Sequence, residues 1–282
     1  MKNKLSAIVL SFLLFSCNSA IENQAVQKKY NVFTQYDFEK PNAVIELPEE
    51  LREISGISFI TDSVIALISD GKPYLYFYNL NQQIILNRIE VAHKGDFEDV
   101  TVCGDTAYIL QSNGKLWSIA AYDKVPVITA DSLPLAPPFE LEGMCHNKTN
   151  DTLYFAAKYW HGQDSLDENE LPVWAYSIRK MAILEKPIFY IPATIASVKK
   201  KHLFHTSGIL KINNAAWIAI STNKKYIVQL NSGGKTDSII SIERDEFTQP
   251  EGIDINSRGD IYISNEGKDG IATILQFKRK KS

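Results

Sequence analysis

Three glutamates and two serines recur at one position of a repeated sequence pattern. Each copy starts with a serine or a glutamate, continues in most copies with glycine, and then enters a short run of alternating apolar residues. The first positions, called the column residues below, are Ser55, Glu98, Glu142, Ser207 and Glu251, at spacings of 43, 44, 65 and 44 residues. Carboxylates gathered in a narrow site repel one another unless they are protonated or neutralised by a cation. The chemistry of this pattern therefore depends on whether the fold brings the copies together.

The spacing of the copies predicts the fold that carries them. A repeat of roughly 40–50 residues that is rich in strand formers is typical of a β-propeller, with one blade per repeat. After each column residue the chain shows a strand, a turn containing Asn, Asp or Gly, and a second, nearly continuous apolar strand such as Val64 to Ile68. We therefore predict an all-β, five-bladed β-propeller. The spacing of 65 residues leaves a six-bladed ring as the alternative, but it is too short for two repeats.

Both ends of the propeller are expected to contribute to the last blade. The fifth repeat ends soon after its third strand, whereas Asn42 to Leu47 form a strand-like run before the first column residue. Pairing this run with the last blade would close the ring and remove two open sheet edges. The sequence thus predicts a single propeller domain over residues 41–282.

The N-terminus resembles the signal of a bacterial lipoprotein. Lys2 and Lys4 precede an apolar run from Leu5 to Phe15, which is too short to span a bilayer as a mature helix. We expect residues 1–17 to form the signal, ending at a lipidated Cys17, and residues 18–40 to form a flexible tether. A secretory signal with a chance cysteine is the alternative. Lipidation would anchor an exported protein to a bacterial membrane, the outer membrane being favoured over the inner, facing the periplasm or the exterior.

The charge composition argues against nucleic acid as a partner. The net charge of −3 and a pI of about 6.0 provide no basic surface for nucleic acid. The other two cysteines, Cys103 and Cys145, lie at different offsets within their repeats, which favours buried reduced thiols over a disulfide.

The column residues are expected to meet at one mouth of the central channel. First strands line the channel of a propeller, and antiparallel pairing places the start of strand one beside the end of strand two. Ser55 and Ser207 would complete the ring formed by the three glutamates. Just after strand two, where other blades have small polar residues, blade three has Lys158. The remaining predicted mouth residues are Asp70, Asn113, Asn223 and Asn265.

Oxygen donors in an irregular ring suit calcium, with Glu98, Glu142 and Glu251 as ligands. Two alternatives stay open: the side chains cap strand ends beside a water-filled channel, or His146 and His205 contribute to a transition-metal site. Glycine after the column residue, as at Gly252, would let neighbouring inner strands approach closely.

Three segments of the chain resemble the SdiA-regulated β-propeller lipoprotein family, which is distantly similar to NHL-repeat propellers. They are Gly95 to Val100, Leu141 to Met144 and Gln249 to Ile253. The resemblance implies five blades, a bound calcium ion and no established activity. Carried over by position, it implies Glu98, Glu142 and Glu251 as calcium ligands, whereas Ser55 and Ser207 depart from the pattern.

Three functions follow as hypotheses. In the first, a membrane-anchored propeller binds an unknown small molecule or an envelope protein at its calcium-bearing mouth. In the second, the protein has a structural or assembly role at the cell envelope, and calcium only makes the ring of blades more rigid. Alternatively, the protein is a calcium-dependent hydrolase, acting on lactones, phosphate esters or phytate, in which Asp99, His146 or His205 would serve as the base. No nucleophile motif distinguishes these hypotheses, so whether the protein is an enzyme stays open at the level of sequence.

Overall fold

The computed structural model describes residues 30–136, 138–147, 149–160, 170–197, 200–223 and 225–280. The expected signal of residues 1–17, Cys17 and the tether up to residue 29 lie outside the described residues. Within the described part, no helix combines the length and the apolar character needed to cross a membrane.

The described residues form a five-bladed, all-β propeller. Five antiparallel sheets succeed one another along the chain, and their first strands contact one another in a ring around the channel. An additional two-stranded hairpin separates blades three and four, where the long repeat has excess residues. The prediction of five blades rather than six is confirmed.

The elements follow in chain order. A four-residue helix α1 (Val32–Gln35), strand β1 (Ala43–Glu46) and a 3-10 turn (Glu49–Leu51) precede the first complete blade. Blade one contains β2 (Ile54–Phe59), β3 (Val64–Ser69), β4 (Lys72–Asn79) and β5 (Ile84–Glu90). Blade two contains β6 (Phe97–Cys103), β7 (Thr106–Gln111), β8 (Lys115–Ala120) and β9 (Val127–Ser132). Blade three contains β10 (Phe139–Asn147), β11 (Thr152–Trp160), β12 (Glu170–Ser177), β13 (Ala182–Ile183) and β14 (Phe189–Pro192). The hairpin is β15 (Thr194–Ser197) and β16 (Lys200–Leu203). Blade four contains β17 (Thr206–Lys211), β18 (Ala216–Ser221), β19 (Tyr226–Asn231) and β20 (Thr236–Ser241). Blade five contains β21 (Pro250–Ile255), β22 (Ile261–Asn265) and β23 (Thr273–Phe277).

Apolar clusters hold each blade to its neighbours. Five clusters of buried residues lie between successive blades, so each interface of the ring has its own core. Second strands are buried on both faces, as β18 is over its full length, because they lie between two blades. Fourth strands such as β9 lie largely exposed at the rim. This pattern explains why the second strands read as continuous apolar runs and the fourth strands gave the weaker sequence signal.

The N-terminal strand closes the ring, as predicted. β1 pairs antiparallel with β23, with Ala43 opposite Gln276 and Glu46 opposite Thr273. One blade thus combines strands from both ends of the chain, which removes two open sheet edges.

The propeller domain begins earlier than the sequence predicted. Residues 30–40 were expected in the flexible tether, yet Val32, Tyr36 and Phe38 are buried in the cluster between blades four and five. The side chain of Gln229 accepts a hydrogen bond from the Val32 amide at 2.6 Å and donates one to the Tyr30 carbonyl at 2.9 Å. The amphipathic pattern of this segment is too short to be distinguished from a linker without its packing partners.

Candidate functional site

Each column residue lies at a β-bulge. In blade two, Phe97 pairs with Gln111 and Asp99 pairs with Leu110, so that Glu98 has no partner opposite it. The other four blades carry the same irregularity between their first and second strands, at Ser55, Glu142, Ser207 and Glu251. A bulge releases one residue from the ladder and re-aims its side chain. The repeat therefore turns five column side chains away from their own sheets.

The three column glutamates share one mouth of the channel, which we call the carboxylate mouth. Glu142 is buried, whereas Glu98 and Glu251 are partly exposed. Burial, followed by the charges of Glu142 and Asp96, raises the pKa of Glu98 to about 10. Burial and Glu142 raise the pKa of Glu251 to about 8. Because Glu142 acts on both other carboxyls, the predicted convergence of Glu98, Glu142 and Glu251 is supported by their electrostatics.

Lys158 brings an ammonium group into the carboxylate mouth, a role that was not predicted from the sequence. Its Nζ forms an ion pair with a carboxylate oxygen of Glu142, with side chains 37% and 8% exposed. Burial raises the pKa of Glu142, and Lys158 opposes this effect, so the value is about 7. Burial alone would lower the pKa of Lys158, but Glu142 and Glu98 raise it. Lys158 thus places one ammonium group among the three carboxyl groups.

The two column serines lie at junctions between neighbouring blades. Ser207 Oγ donates to the carbonyl of Pro250 in the next blade at 2.7 Å. Ser55 is buried, and its carbonyl oxygen accepts a hydrogen bond from Ser264 Oγ at 2.6 Å. Both serines thus lie where blades join, but the Ser207 side chain bonds a carbonyl rather than the amide expected in the capping alternative, and at Ser55 the bond is made by the backbone carbonyl.

The remaining predicted mouth residues separate into exposed and buried positions. Asp70, Asn113 and Asn223 are exposed, whereas Asn265 is fully buried at the end of β22. Partial burial and a hydrogen bond with Asp96 raise the pKa of Asp70 to about 6, which places it near the carboxylate mouth. Asn113 accepts a hydrogen bond from the amide of Lys115 and so stabilises its own turn.

Small residues keep the channel narrow. A Cβ atom at Gly252 would lie 2.7 Å from the Ser55 carbonyl oxygen, and one at Gly208 would lie 2.6 Å from the Glu251 carbonyl oxygen. The predicted close approach at Gly252 is confirmed, since real Cβ contacts are not this short. Blade two carries Asp99 at this position, where its carboxylate accepts hydrogen bonds from Val100 and Met144 amides at 2.8 and 2.6 Å.

The two histidines considered as partners in one site lie at opposite mouths. His205 precedes β17, and its pKa is lowered by burial and by Lys158, which places it at the carboxylate mouth. His146 lies near the other end of β10 and lines a cavity of about 240 Å³ at the opposite mouth. A single transition-metal site using both is therefore excluded by position.

A second group of potential ligands lies at this opposite mouth. Cys103 Sγ is 3.3 Å from His146 Nε2, and one ligand atom from each of Cys103, His146 and Asp151 lies within 4.8 Å of the others. Among the described residues this is the one such trio, and the three column glutamates do not form another. The sequence analysis did not group these residues, because Cys103 belongs to blade two whereas His146 and Asp151 belong to blade three. No disulfide joins Cys103 and Cys145 in the described chain; Cys145 is buried as predicted, whereas Cys103 is half-buried.

The donor set of the carboxylate mouth fits calcium in chemical type. Carboxylate oxygens are the ligands that hard cations prefer. Two contacts compete with calcium binding at this mouth. Lys158 forms an ion pair with Glu142, and the Ser207 hydroxyl donates a hydrogen bond to the Pro250 carbonyl. Of the five column residues, the candidate ligands are therefore the three glutamates.

Solved structures of known proteins share the fold. Streptogramin B lyase superposes with a TM-score of 0.51 at 9% identity, covering 89% of this chain and 100% of that chain. Glutaminyl cyclase from Myxococcus xanthus gives 0.58 at 10% identity, covering 86% and 96%. A luciferin-regenerating enzyme gives 0.50 at 10% identity, covering 86% and 98%. No protein-family model and no curated protein matches the sequence. At these identities the similarity shows that the chain is a β-propeller structurally like these three enzymes, and nothing finer.

Proposed function

We propose that the protein is a lipid-anchored propeller of the cell envelope, of the SdiA-regulated type, that binds calcium at its carboxylate mouth. The bound ion would in turn present an open face to a small molecule or to an envelope protein. The observation that carries the proposal is the charge imbalance at the bulges, where, among the described side chains, Glu98, Glu142 and Glu251 meet one ammonium group, that of Lys158.

The charge imbalance supports a cation because burial leaves few other ways to accommodate three carboxyl groups. A buried carboxyl that lacks a counter-charge takes up a proton, and the raised pKa values of Glu98 and Glu251 reflect this. A divalent cation would replace those protons and supply the missing positive charge. Binding should therefore release protons and should strengthen as pH rises from 6.5 to 8.5.

Calorimetric titration of calcium into the chelator-treated protein tests the site. The wild-type protein should bind one ion. Glu142→Gln and Glu251→Gln should each weaken binding by more than about 10-fold, which corresponds to about 1.4 kcal/mol. Glu46→Gln, at an exposed position on β1, is the matched control and should bind like the wild type. Absence of binding to the wild-type protein, or wild-type affinity in both glutamine variants, would refute the calcium site.

The anchor is tested separately from the site. Cys17→Ser should move the protein from the membrane fraction to the soluble fraction, because it removes the thiol that carries the lipid. If this variant stays in the membrane fraction, the lipoprotein assignment is wrong, whatever the result of the calcium titration.

His205 favours a second candidate function, calcium-dependent hydrolysis. Of the three bases considered, Asp99 is fully buried under two backbone amides and His146 faces the opposite mouth. His205 lies at the carboxylate mouth, and its lowered pKa keeps the imidazole neutral near pH 7, as a general base requires. Calcium would polarise a carbonyl or phosphoryl oxygen when bound. Turnover in a panel of lactones, phosphate esters and phytate that His205→Gln abolishes would establish hydrolysis, whereas absence of turnover would leave binding.

A further inference from the structure

The opposite mouth of the channel brings together a thiol, an imidazole and a carboxylate from two blades. Cys103 is the last residue of β6 in blade two. His146 lies on β10 in blade three, and Asp151 lies in the turn between β10 and β11. Cys103 and His146 are half-buried and Asp151 is exposed, so the group borders solvent. These residues lie four to nine positions beyond their column residues and take no part in the carboxylate mouth.

The distances fit a common metal ion. Ligands of tetrahedral zinc at about 2.3 Å for sulfur and about 2.0–2.1 Å for nitrogen lie about 3.5 Å from each other. The observed distance between Cys103 Sγ and His146 Nε2 is 3.3 Å, and the Asp151 oxygen lies within 4.8 Å of both ligand positions.

The same distances argue against a catalytic relay. In a cysteine–histidine–aspartate relay the sulfur and the carboxylate bind opposite nitrogens of the imidazole, which would separate them by roughly 7 Å at ordinary hydrogen-bond lengths. The limit of 4.8 Å places all three ligand atoms around one point instead.

We propose that Cys103, His146 and Asp151 bind a zinc ion or a similar divalent transition metal at the mouth opposite the carboxylates. A thiolate and an imidazole select zinc over calcium or magnesium, which prefer oxygen donors alone. Three protein ligands leave a fourth tetrahedral position for water or for a ligand atom. Because His146 also lines the cavity of about 240 Å³, a small molecule with a donor atom could reach this position from the cavity.

Cobalt(II) provides a direct probe of the proposed ligands. Titration of the full chain under reducing conditions should give visible bands of tetrahedral cobalt and a near-ultraviolet sulfur-to-cobalt charge-transfer band. Cys103→Ser should remove the charge-transfer band, whereas Cys145→Ser should retain it, since Cys145 is buried in the core between blades three and four. Zinc should displace the cobalt, and excess calcium should not.

Zinc affinity, measured by competition with a chromophoric chelator, tests all three ligands. Loss of a ligand should weaken binding by more than about 100-fold, since even changes in residues that only orient ligands cost roughly 10–100-fold. Asp151→Asn is the safest variant because its side chain is exposed, and Asp105→Asn in the neighbouring exposed turn is its control. Circular dichroism of each variant separates loss of the site from loss of the fold. The proposal is overturned if the wild-type protein gives no cobalt bands, or if Cys103→Ser and Asp151→Asn bind zinc as the wild type does.

Discussion

The stability of the cation-free protein should fall as pH rises from 6.5 to 7.5. Glu98 and Glu251 have pKa values of about 10 and 8 in the folded protein, against an ordinary value of 4.5. In this window the folded state holds protons on carboxyl groups that the unfolded chain has already released. The free energy of unfolding therefore decreases with pH, because stability falls wherever the native state binds more protons.

The size of the effect follows from the two carboxyl groups. Each contributes a decrease of about 1.4 kcal/mol per pH unit while only its folded form is protonated, so Glu98 and Glu251 together give about 2.7 kcal/mol, and Glu142, with a pKa of about 7, adds a smaller decrease. Partial ionisation of Glu251 and water at the mouth reduce this, and we expect about 1.5–2.5 kcal/mol, or roughly 3–8 °C in Tm. His205 has a lowered pKa and acts in the opposite direction below its ordinary value of 6.5, which is why the window starts there.

Urea unfolding of chelator-treated protein at three pH values measures this slope. Glu251→Gln should reduce it by up to about 1.4 kcal/mol per pH unit, because the amide does not titrate. Glu46→Gln, on the exposed face of β1, should leave it unchanged. Saturating calcium should abolish the decline, since a bound cation favours the ionised carboxylates. A free energy of unfolding that is constant or rises between pH 6.5 and 7.5 would show that the glutamates do not share a buried mouth.

Three further changes test the packing and charges around the channel. Gly252→Ala should destabilise the protein by about 1–3 kcal/mol in urea unfolding, because the added Cβ would clash with the Ser55 carbonyl oxygen. Gly233→Ala is the control and should be near neutral, since a Cβ there would have ordinary contact distances. Equal effects of the two substitutions would contradict the close approach at Gly252. Phe38→Ala should cost about 3–5 kcal/mol in the same assay, since its ring is buried against Phe277, and a negligible loss would return residues 30–40 to the tether. Lys158→Met should raise calcium affinity at pH 8.5 by about 10-fold or more in calorimetry, because it removes the ammonium that competes for Glu142; weaker binding would mean that Lys158 supports the site.

Most of the fold could be predicted from the sequence because each blade of a propeller repeats the same local sequence pattern. Glycine follows the column residue in four blades, and turn residues and apolar second strands recur in all five, so weak signals from each repeat add to one strong prediction. The bulges were not predicted, and they shift strand pairing by one residue in some blades. The residue before the column residue pairs with a residue 14 positions after the column residue in blade one (Ile54 with Ser69) but 13 positions after it in blade two (Phe97 with Gln111).

Side-chain contacts between different strands and between different blades were the part of the structure that the sequence could not supply. Lys158 was visible as a departure from the repeat, but its pairing with Glu142 depends on strands β10 and β11 meeting beyond the bulge. Cys103 and Asp151 lie 48 residues apart and in different blades, and only the arrangement of the ring brings them to one mouth. Spacing within one repeat carries no information about such neighbours.

Hydrogen-bond donors distinguish the carboxylates that join blades from those that are available to bind a cation. Asp99 and Asp254 each accept two backbone amide hydrogen bonds, and in each pair one donor belongs to the neighbouring blade. These carboxylates replace ladder hydrogen bonds between inner strands, and their roles need no ligand. The column glutamates differ, because among the described residues their partners are side chains such as Lys158 and Gln249. Side-chain partners can rotate away when a cation arrives, whereas a backbone amide in a blade cannot. Under the proposed function, the bulge takes one carboxylate out of the strand pairing in three blades and leaves it available to a cation at the mouth.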